Sequence, residues 1–384
     1  NYWYYADSRV QLSYTKASPY VDENIIRDAY SIWYEAYDKQ KPSFNDAWAY
    51  LTATLIHEQL SKLADREEQE HFFSCWIYAE HNLLIENVNP KALGFVSRAF
   101  RGNGLDRNAA ALAQKAYDLD SNDFFIWEEK ATTLLNIGEW ETAEIFLHKL
   151  MQQSPGERVF KAYEAYALYH LAQYDEAKAK MDEVVEVHPD WMWARHLRLV
   201  INWMRHDKEA IRLDAEWIWS QHCQQKLKNT TTHEFAYAAY FLGDEAHAVE
   251  EFKIQPDDTY DELISSFFFY TLYHLQKDSV EAQQYYEQYK KEARHVYNFS
   301  ELKNAIARLC PHRTDLMEDL DEAAIARLQK PIDLPEELRL FSSHCEACSI
   351  EGSVGWEAIN LSFFRLAVEQ QQWNKALEIC LLIQ

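Results

Sequence analysis

Between Phe124 and Asp190 the apolar positions recur at helical spacing, and the same text is written twice. Ala131 matches Ala165, Leu134 matches Leu168, Trp140 matches Tyr174, Ala143 matches Ala177, Leu150 matches Val184 and Pro155 matches Pro189, every pair separated by the same interval. Each copy holds two amphipathic patterns separated by a short polar turn, Asn136 to Glu139 in one and Ala172–Gln173 in the other. The second pattern of each copy runs out at a proline, which lacks the N–H that a helix interior needs. A fixed period of this length predicts stacked helical hairpins, each unable to bury its faces alone.

The pattern extends in both directions with changing fidelity. Asp22 can cap a helix carrying Ile25, Ile26, Ala29, Ile32, Trp33 and Ala36. Two more apolar helical stretches follow, Ala47 to Leu63 and Glu67 to Ile85, all three out of step with the period. Pro90 opens a first repeat, with Ala109, Ala113 and Ala116 at its small positions. Beyond the two strong copies, Asp190 to His222 is divergent, and His233 to Gln255 recovers the pattern through Ala236, Gly243, Ala248 and Phe252. Asp261 to Glu292 is a further, tyrosine-rich unit, since Ala282 lies one full period after Ala248. Residues 299–330 are helical but off the pattern, and Pro331 to Gly355 reads as a loop. The last unit, from Trp356, regains register at Trp373 and Ala376.

Trp127, Ala131, Leu134, Gly138, Trp140, Ala143, Leu147, Leu150 and Pro155 together resemble the tetratricopeptide (TPR) repeat. The next copy departs from it at Lys161, where the early Trp would stand, and at Ala172, in place of the turn glycine. The resemblance implies an all-α fold, a right-handed superhelical solenoid of TPR-like hairpins whose first helices line a concave side. The expected division is an N-terminal helical capping or linker bundle (1–89), a repeat array (90–296), divergent helices and a loop (297–355), and a C-terminal hairpin (356–384) cut short in the apolar run Leu381-Leu382-Ile383.

The same resemblance would line the concave wall with Lys91, Arg98 and Arg101, then Phe125, Glu128 and Thr132, then Tyr163, Tyr166, Tyr169, His170, Trp193, His196 and Trp203. A groove with a basic end and an aromatic middle suits an extended peptide carrying acidic and apolar side chains. The competing expectation is that these rings only fill the space between repeats. The Lys/Asn clamp by which some TPR modules hold a C-terminal carboxylate is absent, because the corresponding places hold Glu128, Thr132, Ala162 and Tyr166.

Composition narrows the function classes. With 8 Gly and neither G-x-x-x-x-G-K-[ST] nor G-x-G-x-x-G, the chain lacks the loops that cradle phosphates. Sixty-two Asp+Glu against 38 Lys+Arg give a formal charge of −24, which repels nucleic-acid backbones and anionic lipid surfaces. The longest nearly apolar run, Leu263 to Leu275, is too short to insert across a membrane. Six dispersed cysteines in a chain of 384 residues fit reduced thiols and a cytoplasmic location.

Cys345 and Cys348, with Cys310 and His312 upstream, offer four soft ligands for zinc, but C-x-H is an unusual second half and no metal site or cofactor is favoured. For catalysis, His57-Glu58 is followed by Gln-Leu-Ser, so the H-E-x-x-H pattern fails, and no G-x-S-x-G occurs. No catalytic residue is assigned. The expectation is a module that binds a protein or peptide partner, or else the regulatory array of a larger enzyme. Self-association through the exposed terminal repeat is a third possibility.

Overall fold

The computed structural model describes residues 23–40, 89–102, 106–155, 157–223, 233–254, 260–329 and 371–383, with scattered positions in 49–60 and 364–368. Every described element is a helix. The chain divides into two compact units, residues 1–129 with 330–384, and residues 130–329.

In the first unit, α1 (Glu23–Gln40) buries Ile26, Ala29, Trp33 and Ala36 along one stripe, and the Trp33 indole donates to the Ala49 carbonyl at 2.9 Å. Helices α2 (Pro90–Gly102) and α3 (Asp106–Leu119) pair as a hairpin. Ala109, Ala113 and Ala116 are fully buried, and the small side chains let the two backbones approach. Helix α4 (Phe124–Asn136) starts in this unit and ends in the second. Asp123 caps it, accepting from the backbone N–H groups of Phe125 and Ile126.

The second unit is a row of hairpins. Helix α5 (Trp140–Gln153) is followed by α6 (Arg158–His170) with α7 (Tyr174–Val187), then α8 (Met192–Met204) with α9 (Lys208–Cys223). Next come α10 (His233–Phe241) with α11 (Glu245–Glu251), α12 (Tyr260–Gln276) with α13 (Glu281–Glu292), and α14 (Val296–Leu309) with α15 (Thr314–Gln329). Partners within each hairpin pack together, and from α5 to α10 each helix also packs on the next.

The hairpin turns share one backbone solution. A residue with positive φ stands at Gly138 (83°), Ala172 (58°), His206 (63°), Gly243 (85°) and Asp278 (48°). The first three are evenly spaced, at the same interval that separates Ala131 from Ala165. After each, the next N–H reaches back to a carbonyl five residues earlier: Glu139 to Leu134, Gln173 to Leu168, Asp207 to Asn202, Asp244 to Ala239 and Ser279 to His274. This satisfies carbonyls that a helix end leaves orphaned. Ala172, His206 and Asp278 hold a conformation that suits glycine, at a cost of about 1–2 kcal/mol each.

Ala131, Ala143, Ala165 and Ala177 are fully buried where the period places them. Arg198 ties three helices together, donating to Asp214 (2.6 and 2.8 Å) on α9 and to Asp182 (3.1 Å) on α7. The fold is an all-α solenoid of helical hairpins.

The hairpin 296–329 lies in the stretch that the sequence leaves off the pattern, yet it stacks as another member of the row. Its small position, one period beyond Ala282, holds Leu316, which is only 5% exposed. The slot is kept while the alanine signal is lost.

Candidate functional site

The residues expected on the concave wall fall into both units, and the two groups meet different surroundings. In the first unit the basic side chains are already paired. Lys91 lies 3.2 Å from Asp123, Arg98 lies 2.5 Å from the buried Glu129 and 3.6 Å from Glu128, and Arg101 lies 3.5 Å from Glu129. Arg98 also stacks over Phe125, which is itself stacked on Phe95 at 4.6 Å. These cations serve the packing of α2 on α4, so the basic end is neutralised from within. Thr132 is buried.

In the second unit the ring-bearing first helices α6 and α8 stand side by side. Tyr163 meets Trp193 edge-on at 6.0 Å, and Trp193 meets Trp191 at 5.4 Å. The Arg158 guanidinium lies 4.7 Å from the Trp191 ring centre. All four side chains are half-buried, their faces partly open to solvent. His196 turns the other way, against the rings of His233 and Tyr237 at 5.9 and 5.1 Å. Its burial, with His233 as a smaller influence, holds its pKa down to about 3.

One turn further along α6 the wall is covered, and the cover is α14 of the same chain. The Tyr166 hydroxyl donates to Glu301 Oε1 at 2.7 Å, and His170 Nδ1 lies 2.9 Å from Ser300 Oγ. Tyr297 meets Tyr166 edge-on at 6.2 Å. Arg308 donates to the Trp203 carbonyl at 3.3 Å. At the near end, the Asn136 amide lies 3.3 Å from His295 Nδ1. Gly138 comes so close to α14 that an added Cβ would stand 2.9 Å from Val296 Cγ1.

Burial sets the electrostatics of this seam. It raises the Glu301 pKa to about 7, against the smaller lowering effect of the Tyr166 hydrogen bond. It holds His170 down to about 3, so the imidazole is neutral, stacked on Trp140 at 4.1 Å and 6°. Tyr166, Tyr169 and Tyr237 are pushed well above 10, by burial first and by the Glu301 charge second. His170 Nε2 is buried and has no hydrogen-bond partner among the described residues.

The evenly recurring left-handed turn, the buried alanines and the paired first and second helices now stand together. The chain folds as a TPR-like array of helical hairpins. No family profile matches it, and no curated protein matches it. Among solved structures it is similar to MamA from Desulfovibrio magneticus (residues 41 to the end), at 16% identity and TM-score 0.36, covering 46% of this chain and 98% of that one. It is similar to a tetratricopeptide repeat protein from Parabacteroides merdae at 13% identity and TM-score 0.39, covering 78% and 98%. The C-terminal part of a TPR repeat-containing protein from Cytophaga hutchinsonii follows at 14% identity and TM-score 0.34, covering 82% and 98%. The fold itself stands on the chain's own repeat geometry.

Residues that the repeat pattern did not single out join these contacts: Tyr237 from α10, and Tyr297, Ser300, Glu301, Asn304 and Arg308 from α14. Their spacing along α14 (0, 3, 4, 7 and 11) was the available signal, since it is one helical stripe. Elsewhere, Cys310 is buried, its thiol pKa raised by that burial, and His312 is exposed. Cys345 and Cys348 lie outside the described residues. Among the described residues no group of three or more His, Cys, Asp or Glu could hold a metal, and no helix is long and apolar enough to cross a membrane. On α16 (Trp373–Ile383), Trp373, Leu377 and Leu381 form an exposed stripe.

Proposed function

We propose that the chain is a protein-interaction module, and that the ring row Tyr163, Trp193 and Trp191 with Arg158 binds an apolar or aromatic segment of a partner protein. The half-open row itself is the observation that carries this reading. Its rings are held on two packed helices, offer large contact area with few rotors to freeze, and include the side chains that dominate interface energetics. Because α6 and α8 pack directly on each other, the row needs little rearrangement to receive a ligand. Lys91, Arg98 and Arg101, expected as a basic end, contribute little, since they are paired within the first unit. The selected segment is therefore read by its apolar anchors and not by acidic residues.

A displayed random-peptide library selected on the immobilised full chain tests the reading. Enriched peptides should share a Trp, Phe or Leu anchor. A Tyr163→Ala, Trp193→Ala chain should bind them roughly tenfold or more weakly, as expected for hot-spot rings. That double variant should keep a cooperative melt. Failure of any peptide to enrich, or equal binding by the folded double variant, rejects it.

A further inference from the structure

The two faces of α14 are unlike in kind. Phe299, Leu302, Ala305 and Ile306 point into a continuous apolar core with Phe267, Leu272, Tyr286, Tyr289, Leu316 and Leu320. Leu302 and Ile306 are fully buried there. The opposite stripe, Tyr297, Ser300, Glu301, Asn304 and Arg308, faces α6 and α8 through hydroxyls, a carboxylate and ring edges. A half-buried carboxylate held by the Tyr166 hydroxyl and, among the described residues, a buried imidazole nitrogen without a partner leave this contact poorly satisfied. One face belongs to the core. The other resembles a transient interface.

We infer that α14 is an internal ligand: its polar stripe occupies the middle of the wall, and a partner helix bearing the same stripe displaces it. The partner's chemistry follows from what the seat reads. It is an amphipathic helix with an aromatic residue at i, a hydroxyl at i+3, a carboxylate at i+4 for the Tyr166 hydroxyl, and a cation at i+11 for the Trp203 carbonyl. The hairpin 296–329 stays with helices 260–292 through its apolar core when the seam parts. Bending falls to the hairpin 233–251, whose helices have 9 and 7 residues. The inference deepens the interaction reading above, extending the same wall from its open row to its covered middle.

Two measurements test it on the full chain. The first is amide hydrogen exchange without any ligand. Helices 158–170 and 296–309 should share an opening event that exposes them faster than 281–292. If 296–309 exchanges only together with 281–292, in global unfolding, the seam does not open and the proposal falls. The second uses a fluorescent, hydrocarbon-stapled peptide of residues 295–311. It should bind a Glu301→Arg chain at least about tenfold more tightly than the native chain, because removing an internal competitor raises the fraction of competent wall. Adding Tyr166→Ala and His170→Ala should abolish that gain. Equal affinity for the native and Glu301→Arg chains, or no binding to either, overturns the proposal. The exchange experiment contains no partner, so it fails independently of the peptide selection on Tyr163 and Trp193.

Discussion

Helix α14 and helix α6 each bury one face against a repeat neighbour and another against each other, and the first kind of contact is the more apolar. Leu302 and Ile306 sit among leucines, phenylalanines and tyrosine rings, where every buried methylene stabilises. Glu301 and Ser300, on the other side of the same helix, meet Tyr166 and His170 through one hydrogen bond each. The lesson is that a repeat protein can hold two grades of interface on one helix, a stacking face that cannot be given up and a seam that can.

Four tests sharpen that comparison. The largest effect belongs to the stacking face. Leu302→Ala should cost about 2–5 kcal/mol by leaving a cavity in a core that cannot collapse around it. In a denaturant melt it should lower the midpoint or split off an early transition for residues 260–329. A loss below about 1 kcal/mol would mean that this face is no firmer than the seam.

Gly138→Ala comes next, since it combines a left-handed φ with a contact on Val296. Gly243 has a similar φ of 85° and nothing within 4 Å of an added Cβ, so it isolates the backbone share. Gly243→Ala should cost about 1–2 kcal/mol and Gly138→Ala measurably more. Equal shifts in thermal midpoint would show that α14 does not press on the turn.

The pH response of the seam is smaller and has two limbs. Glu301 binds its proton more tightly in the folded chain, so its contribution is complete below pH 4.5 and lost as pH rises toward about 7. His170 and His196, held near 3, work in the opposite sense, and their contribution is present above pH 6.5 and lost as pH falls. The groups around Glu301 include the Tyr166, Tyr169 and Tyr237 hydroxyls, whose raised pKa values keep them neutral throughout this range. The thermal midpoint should therefore peak near pH 7. Glu301→Gln should flatten the alkaline limb alone, raising stability at pH 8 by about 1 kcal/mol after allowance for the partial exposure of the site. An unchanged alkaline limb would remove Glu301 from the seam.

The smallest effect is a gain. Ala172→Gly relieves a φ of 58° in a turn whose counterpart is already Gly138, offset in part by the greater freedom of glycine in the unfolded chain. A net stabilisation of about 0.5–1 kcal/mol is expected, read as a rise in the urea midpoint.

Much of the array was legible in the chain because its determinants are local. The shared spacing of Ala131 and Ala165, of Ala143 and Ala177, and of Gly138 and Ala172 reports which side chains must be small and which backbone must turn left. Those demands act within a single hairpin and its neighbour, so they leave a period in the text. Only the folded chain could show what the wall of α6 and α8 faces, because Tyr166 and Glu301 are 135 residues apart and each lies in its own repeat unit. The pairing of Lys91, Arg98 and Arg101 with carboxylates is of the same kind: charge is countable in a sequence, whereas neutralisation depends on which helices come together. The amino-acid pattern determined the brick and its stacking through short-range sterics. The tertiary structure decided which part of the wall stays open and which is covered, since the stacking of several bricks brings α14 onto α6.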